Sequence, residues 1–150
     1  MNEKPRRRPN RVFMNQVMIN ILRSPLHGLM SKDIMVITFA GRKSGDLFST
    51  PVSYLRQGSE VTVLTRSSWW KNVVGGKPVT LTIRGKKYHG VAEAFTQDKQ
   101  AVEEAMRVFL KEKPANARFY KVNMGPDGTP DPAQVQLAVQ NMILVKISLS

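Results

Sequence analysis

Short apolar runs separated by tight, glycine-containing turns fill residues 33–95, and this feature constrains the fold most strongly. The first run, Asp33–Ala40, reads DIMVITFA and ends at Gly41, as is typical of a strand buried on both faces. Two predicted hairpins follow, namely Ser49–Leu55 with Glu60–Arg66 and Lys77–Arg84 with Lys87–Phe95. Because short turns join antiparallel neighbours, the pattern predicts a small antiparallel barrel of four or five strands.

Helical patterns flank these strands, because the apolar period changes from two to 3.6 residues on either side of them. We expect an amphipathic N-terminal helix at residues 12–22, a helix at about Asp98–Lys111, a short helix at Ala133–Gln140 and a last strand at Met142–Leu149. Residues 1–11 form a basic tail that is predicted to be disordered. The expected fold is mainly β with flanking helices, in a single domain over residues 12–150.

Several kinds of chemistry are excluded by the residue types present. The 150 residues include no cysteine, so disulfide scaffolds, thiolate metal sites and thiol nucleophiles are ruled out. His27 and His89 lack the paired spacing of metal ligands, and we expect no metal site. Ser68–Lys71 matches the S-x-x-K pattern of serine acyl-enzymes. We favour a plainer interpretation, in which Ser67 or Ser68 caps a short helix that contains both tryptophans.

The charge of the chain favours an anionic partner. Its formal net charge is +12, from 23 Lys and Arg against 11 Asp and Glu. One cationic focus is the N-terminal tail, and the second is the segment from residue 41 to residue 95. No apolar run reaches the roughly 18–20 residues that span a bilayer, and no cleavage pattern follows the N-terminus. We therefore expect a cytoplasmic protein.

Two adjacent segments are the candidate binding site. In GRKSG, Gly41–Gly45, a turn after a strand carries Arg42, Lys43 and Ser44, and such a turn aims backbone N–H groups and cations at one anion. The alternative is a solvated surface turn. The second segment, TRSSWWKN, begins a short helix whose first N–H groups would attract the same anion. Of its two tryptophans, one is expected in the core and the other at the edge of a cleft.

The ordered set of these motifs resembles the deazaflavin-dependent nitroreductase and quinone reductase family, whose members have an FMN-binding-like split β-barrel. The resemblance covers about sixty residues, from Ile34 to Phe95, and its pieces are GRKSG, STPVSY, TRSS, WWKN, GGKPV and IRGKK in that order. It implies a deazaflavin coenzyme, coenzyme F-420, that lies along the barrel groove. One position departs from the family pattern, because Phe48 stands where members commonly carry an arginine that pairs with phosphate. FMN or FAD is the alternative coenzyme.

The resemblance also implies residue roles. The anionic part of the coenzyme would bind at Arg42, Lys43, Ser44 and Gly45. The chromophore would lie along Ser49, Thr50, Pro51 and Val52 and close to Thr65, Arg66, Ser67 and Ser68, with Trp69 and Asn72 supporting the neighbouring loop. Tyr120 is the candidate hydroxyl donor on the substrate side, with a structural tyrosine as the alternative.

The implied reaction is hydride transfer from the reduced coenzyme to a quinone, a nitro compound or an activated alkene, and the implied assembly is a homodimer. A non-catalytic barrel that binds flavin, heme or lipid is the alternative. The basic tail and apolar helix of residues 1–24 are also compatible with peripheral attachment to an anionic membrane, or with packing on the barrel. Nucleic acid is a weaker candidate partner, because basic residues and evenly spaced aromatic residues do not share a strand face.

Overall fold

The computed structural model describes residues 33–150, so the predicted N-terminal tail and helix lie outside the described residues. Seven strands form one sheet: β1 Ile34–Ala40, β2 Leu47–Ser53, β3 Leu55–Gln57, β4 Glu60–Thr65, β5 Lys77–Ile83, β6 Lys86–Phe95 and β7 Ile143–Leu149. Within residues 33–150, two α-helices, α1 Lys99–Glu112 and α2 Pro132–Val139, accompany two 3₁₀ helices at Ser68–Val73 and Pro114–Tyr120. The predicted helices after the sheet and the predicted last strand are confirmed.

The order of the strands requires the sheet to curl. The order is β2-β1-β5-β6-β7-β4-β3, and every neighbouring pair is antiparallel. The two edge strands, β2 and β3, are separated in the chain only by Tyr54. A flat sheet would hold its edges several strand widths apart, so this connection closes the sheet into a barrel. Pro51 lies in edge strand β2, where its missing N–H costs least.

The first predicted hairpin was wrong in its pairing. Residues 47–53 pair with β1, from Ile34 opposite Ser53 to Ala40 opposite Leu47, and not with β4. The turn at Gly58 and Ser59 instead joins the three residues of β3 to β4. The turn after β1 reverses the chain, so β2 pairs with β1. At Tyr54 the chain then crosses to the opposite edge of the sheet, where β3 pairs with β4.

The second predicted hairpin is confirmed, with its turn one residue earlier than expected. Ile83 pairs with Lys86, so the two turn residues are Arg84 and Gly85. Their φ values are 50° and 79°. Positive φ at both central residues is required by the type I′ turn, whose twist matches that of the two flanking strands.

Two apolar cores lie on the two faces of the sheet. Val63 and Val145 belong to the core inside the barrel, whereas Leu64 and Leu144 belong to the core beneath α1 and α2. This alternation follows the two-residue period of a strand. Phe109 of α1 is fully buried in the outer core. The helices therefore cover β4 and β7, and the two 3₁₀ helices lie next to the site described below.

Candidate functional site

The turn after β1 is held closed by its own backbone. Gly45 N donates to Gly41 O over 2.8 Å, and Gly41 N donates to Asp46 O over 2.7 Å. Gly45 has a φ of 72°, which a side chain would strain. A Cβ on Gly41 would come within 2.7 Å of Cε2 of Phe48. Glycine at position 41 thus lets the Phe48 ring pack against the base of the turn.

Asn72 joins this turn to the 3₁₀ helix at Ser68–Val73. Its side-chain oxygen accepts from Arg42 N, and its Nδ2 donates to Trp69 O, both over 3.0 Å. The two candidate segments of the sequence are therefore bound directly to each other. Asn72 contributes a positioning contact rather than a charge.

Aromatic rings form the floor beneath the turn. The Trp69 ring is buried and stacks on Phe39, with their centroids 5.6 Å apart. Phe48 stacks on the same Phe39 ring at 6.2 Å. Trp70 is only partly buried, and the Lys71 ammonium lies 5.9 Å from its ring centroid. Trp69 thus lies both in the core and at the cleft. These two positions were predicted for two different tryptophans.

The predicted serine cap of this short helix was wrong. Ser67 occupies the N-cap position, but its side chain makes no capping hydrogen bond. Its backbone N–H instead donates to Thr65 Oγ1 over 3.0 Å. Ser67 and Ser68 both line the cleft described next.

A cleft of about 640 Å³ lies between the turn and the 3₁₀ helix, and we call it the turn cleft. Its lining residues are Phe39, Gly41, Arg42, Lys43, Ser44, Phe48, Thr50, Ser67, Ser68, Trp69, Lys71 and Asn72. Three of them are cations, and none is acidic. Within residues 33–150, none of these three cations forms a salt bridge. The turn cleft is therefore suited to an anionic ligand.

The anion-binding capacity of the turn resides mainly in side chains. Among the amides of residues 41–46, those of Gly41, Arg42, Gly45 and Asp46 already donate to oxygens of the protein. The predicted cradle of backbone N–H groups is thus largely occupied by internal contacts. Arg42, Lys43 and Lys71 remain exposed to contact a ligand.

A second cleft, of about 430 Å³, continues from the first, and we call it the tyrosine cleft. It is lined by Thr50, Pro51, Val52, Ser53, Leu64, Thr65, Arg66, Ser67, Trp69, Phe119, Tyr120 and Met142. Thr50, Ser67 and Trp69 line both clefts, so the two spaces form one groove. Arg66 is the one cation of this lining, and its guanidinium donates to Ala138 O over 3.4 Å.

Tyr120 lies at the wall of the tyrosine cleft with its ring edge-on to Phe109, at a centroid distance of 6.2 Å. Burial raises the pKa of the Tyr120 phenol, and the nearby positive charge of Arg66 opposes this shift. The phenol is therefore protonated at neutral pH and able to donate a hydrogen bond. The adjacent Phe119 is 74% exposed at the same cleft.

Most of the predicted site residues come together in this groove. Gly45 and Ser49 line neither cleft: Gly45 stays within the turn, and the buried Ser49 hydroxyl contacts Thr38 Oγ1 at 2.7 Å. Phe39, Lys71 and Phe119 also line the groove but were not predicted as site residues. Lys71 follows directly after the tryptophans of TRSSWWKN, so its position was an available signal. Nothing in the local sequence marks Phe39 or Phe119 as a lining residue.

Metal-binding clusters and membrane-spanning helices are both absent from the described residues. Residues 33–150 contain no group of three histidine, aspartate or glutamate side chains placed to hold a metal ion. No helix in that part of the chain has the length and apolar character needed to cross a membrane.

Comparison with known proteins gives a family match and a fold. A family model described as F420H(2)-dependent quinone reductase matches residues 17–124. An F420-H2 dependent reductase structure is similar at a TM-score of 0.52 and 16% identity, over 79% of this chain and 95% of that chain. A structure described as a domain-swapped dimer has a TM-score of 0.53 and 16% identity, over 95% of this chain and 99% of that one.

A third similar structure is a putative pyridoxamine 5'-phosphate oxidase from Listeria innocua, with a TM-score of 0.50 and 11% identity over 92% of this chain and 94% of that chain. No curated protein sequence gives a match. The structural similarities identify the fold as the split β-barrel of pyridoxamine oxidase-like, FMN-binding proteins. The predicted fold class is confirmed.

Proposed function

This chain belongs to the F420H(2)-dependent quinone reductase family and is an oxidoreductase, and we propose that it reduces a quinone with a hydride from reduced coenzyme F-420. The family match confirms the resemblance found in the sequence. The observation that carries the proposal for this chain is the distribution of charge along the groove. Arg42, Lys43 and Lys71 lie at one end, and the other end is mostly uncharged and partly aromatic.

The lining of the groove fits the chemical character of this coenzyme. The resemblance to the family implies a coenzyme with a phosphate and a glutamate tail, and the cations of the turn cleft would pair with these anions. The flat chromophore would extend over Thr50 and Trp69, where the two clefts meet. Phe48 brings no charge to this lining, and the exposed Lys71 would supply a third cation in place of the usual arginine.

The chain's own contribution to the reaction would be binding, orientation and one hydrogen bond. Reduced coenzyme, when bound, would supply a hydride, which brings two electrons and one hydrogen, and one further proton would complete the hydroquinone. The Tyr120 phenol would donate a hydrogen bond to a quinone oxygen, where negative charge develops. Phe119 would cover the quinone from the solvent side. Nitro compounds and activated alkenes are further candidate acceptors.

A homodimer is part of the proposal, supported by the similar structure described as a domain-swapped dimer. Contact of residues 1–24 with an anionic membrane surface stays a prediction of the sequence, and so does a cytoplasmic location. FMN and FAD stay as alternative coenzymes, and a non-catalytic binding barrel or a nucleic-acid-binding barrel as alternative functions.

The decisive experiment has two steps. Purified protein is first titrated with oxidised and reduced F-420, FMN and FAD, and coenzyme fluorescence is followed. We expect F-420 to bind more tightly than either flavin. Oxidation of reduced F-420 is then measured with a water-soluble quinone, a nitroaromatic compound and an enone as separate acceptors. Quinone-dependent oxidation is the expected result, and failure to bind F-420 would overturn the proposal.

A further inference from the structure

A further pocket lies at the end of β1 opposite the turn cleft. We call this space of about 370 Å³ the far-end pocket, and it is lined by Tyr54, Arg56, Ile83, Arg84, Lys86 and Tyr88. β1 runs between the two ends, because Ile34 pairs with Ser53 beside Tyr54 and Ala40 leads into the turn cleft. A seven-residue strand spans roughly 20 Å. None of the far-end residues lines the groove, so the pocket is separate from the coenzyme site.

Positive charge dominates the far-end pocket. Arg56, Arg84 and Lys86 line it, and none of the described residues that line it is acidic. Within residues 33–150, none of these three cations takes part in a salt bridge. The carboxylate of Asp33 raises the pKa of the Tyr54 phenol, and it is paired with Lys113 at 3.5 Å. Three cations around so small a space repel one another unless an anion enters it.

Two of the cations are held in place by the protein. Arg56 Nε donates to Gly58 O over 3.0 Å, and its guanidinium carbon lies 4.6 Å from the Tyr88 ring centroid. Arg84 occupies the left-handed conformation of the two-residue turn, at a φ of 50°. Asparagine and glycine adopt this conformation more readily than arginine. A strained arginine at this position is therefore a feature that turn geometry alone does not explain.

The two phenols add neutral hydrogen-bonding groups. Burial raises the pKa of Tyr54, against the opposing charge and hydrogen bond of Arg84, so this phenol is protonated at neutral pH. The pKa of Tyr88 is lowered chiefly by a hydrogen bond from Arg56. Each phenol is thus coupled to one of the arginines that line the pocket. The pocket combines guanidinium, ammonium and hydroxyl donors around one space.

We propose that the far-end pocket binds a phosphate dianion, either as free phosphate or as the terminal group of a phosphomonoester. A phosphomonoester carries up to two negative charges and three acceptor oxygens, which a single carboxylate does not match. Two guanidinium groups present planar donor pairs to such oxygens, and Lys86 adds a point charge. The source of the phosphate is a soluble phosphorylated compound or the headgroup of a phosphomonoester lipid.

The test is a titration of the full chain with inorganic phosphate at low ionic strength, followed by amide NMR. We expect saturable shifts at Gly85 and Lys86 at lower phosphate concentrations than at Lys43 in the turn cleft. The key variant is Arg84→Asn, because asparagine favours the left-handed turn while the guanidinium group is removed. It should raise the Kd for phosphate about tenfold, as expected for loss of a charge-assisted hydrogen bond. The matched control is Lys87→Gln, an exposed lysine outside the pocket.

A second experiment distinguishes a soluble phosphorylated compound from a lipid headgroup as the source of the phosphate. Phosphatidylcholine vesicles with and without phosphatidic acid are compared with glycerol phosphate as ligands of the wild type and of Arg84→Asn. Binding of either ligand that weakens in Arg84→Asn supports the pocket and identifies the source. The inference is overturned if Lys87→Gln weakens phosphate binding as much as Arg84→Asn, or if no phosphate ligand depends on Arg84. These results do not involve F-420, so the inference and the proposed function succeed or fail separately.

Discussion

The turn cleft and the tyrosine cleft share three lining residues but differ in charge and in construction. The turn cleft carries Arg42, Lys43 and Lys71, and its lining residues come almost entirely from two short segments of sequence. The tyrosine cleft carries Arg66, whose guanidinium contacts a backbone oxygen, and it draws on four separate stretches of chain. One half of the groove thus offers exposed cations, and the other offers aromatic and backbone surface.

This difference suggests a division of labour within one groove. Exposed cations give affinity for an anionic tail but little orientation, because their side chains are flexible. A stacked ring such as Trp69 and a half-buried phenol such as Tyr120 constrain a flat ligand more closely. We therefore expect changes in the turn cleft to act on coenzyme affinity and changes in the tyrosine cleft to act on the quinone.

The largest effect is expected from removing two cations of the turn cleft together, in Lys43→Ala with Lys71→Ala. Loss of a charged hydrogen bond costs about 1.5 kcal/mol at an exposed site, so the Kd for F-420 should rise roughly 100-fold for the pair. Lys43→Ala alone should give about a tenfold rise. Fluorescence titration at two salt concentrations measures the change, and the pair should also reduce the salt dependence.

The control for this pair is Lys77→Ala with Lys87→Ala, which removes two exposed lysines that line neither cleft. It matches the change in net charge. If the control weakened F-420 binding equally, overall charge rather than the turn cleft would determine affinity.

A smaller effect is expected from Asn72→Ala, which tests whether the two walls of the turn cleft must be joined. The variant loses the contacts to Arg42 N and Trp69 O without changing any charge. We expect about 1 kcal/mol lower free energy of unfolding and a roughly fivefold higher Kd for F-420. Urea denaturation and coenzyme titration measure the two quantities, with the exposed Asn123→Ala as control. Unchanged affinity would show that the walls are positioned without Asn72.

The Tyr120→Phe variant tests most directly whether the two clefts have different roles. The variant keeps the ring that packs on Phe109 and removes only the hydroxyl. We expect kcat/KM for the quinone to fall about fivefold, equal to roughly 1 kcal/mol for one neutral hydrogen bond, while the Kd for F-420 stays constant. Steady-state kinetics at saturating coenzyme give the first quantity. A rise in Kd with unchanged quinone kinetics would assign Tyr120 to the coenzyme side.

The smallest expected effect is a dependence of stability on alkaline pH. Burial raises the pKa of Tyr120 in the folded chain above its unfolded value of about 10, so folding favours the protonated phenol. This stabilisation is fully present below pH 10 and is lost as the pH rises through the folded pKa. The free energy of unfolding, measured by urea denaturation between pH 9 and 11.5, should therefore decline less in Tyr120→Phe. An equal decline in both proteins would contradict the assigned burial of the phenol.

The local parts of the structure were predictable from the sequence because short-range patterns specify them. Asp98 and Asp131 cap the two helices by accepting from the amides of Ala101 and Gln134, close to the predicted helix starts. The turn at Gly41–Gly45 and the segment after Thr65 were likewise identified as neighbours in one site. The caps depend on hydrogen bonds and periodicity within about ten residues. The two site segments, by contrast, are joined through Arg42 and Asn72, which are 30 residues apart in the chain.

The strands, the helices after them, the basic turn and the family were predictable from the sequence. The folded chain was needed to show that β2 pairs with β1, that Trp69 contributes to both core and cleft, and that Phe119 and Tyr120 line the same cleft as Thr50. The difference arises from distance along the chain. A turn or a cap forms from neighbouring residues, whereas the tyrosine cleft exists only after the crossing at Tyr54 has closed the barrel and brought segments some seventy residues apart together.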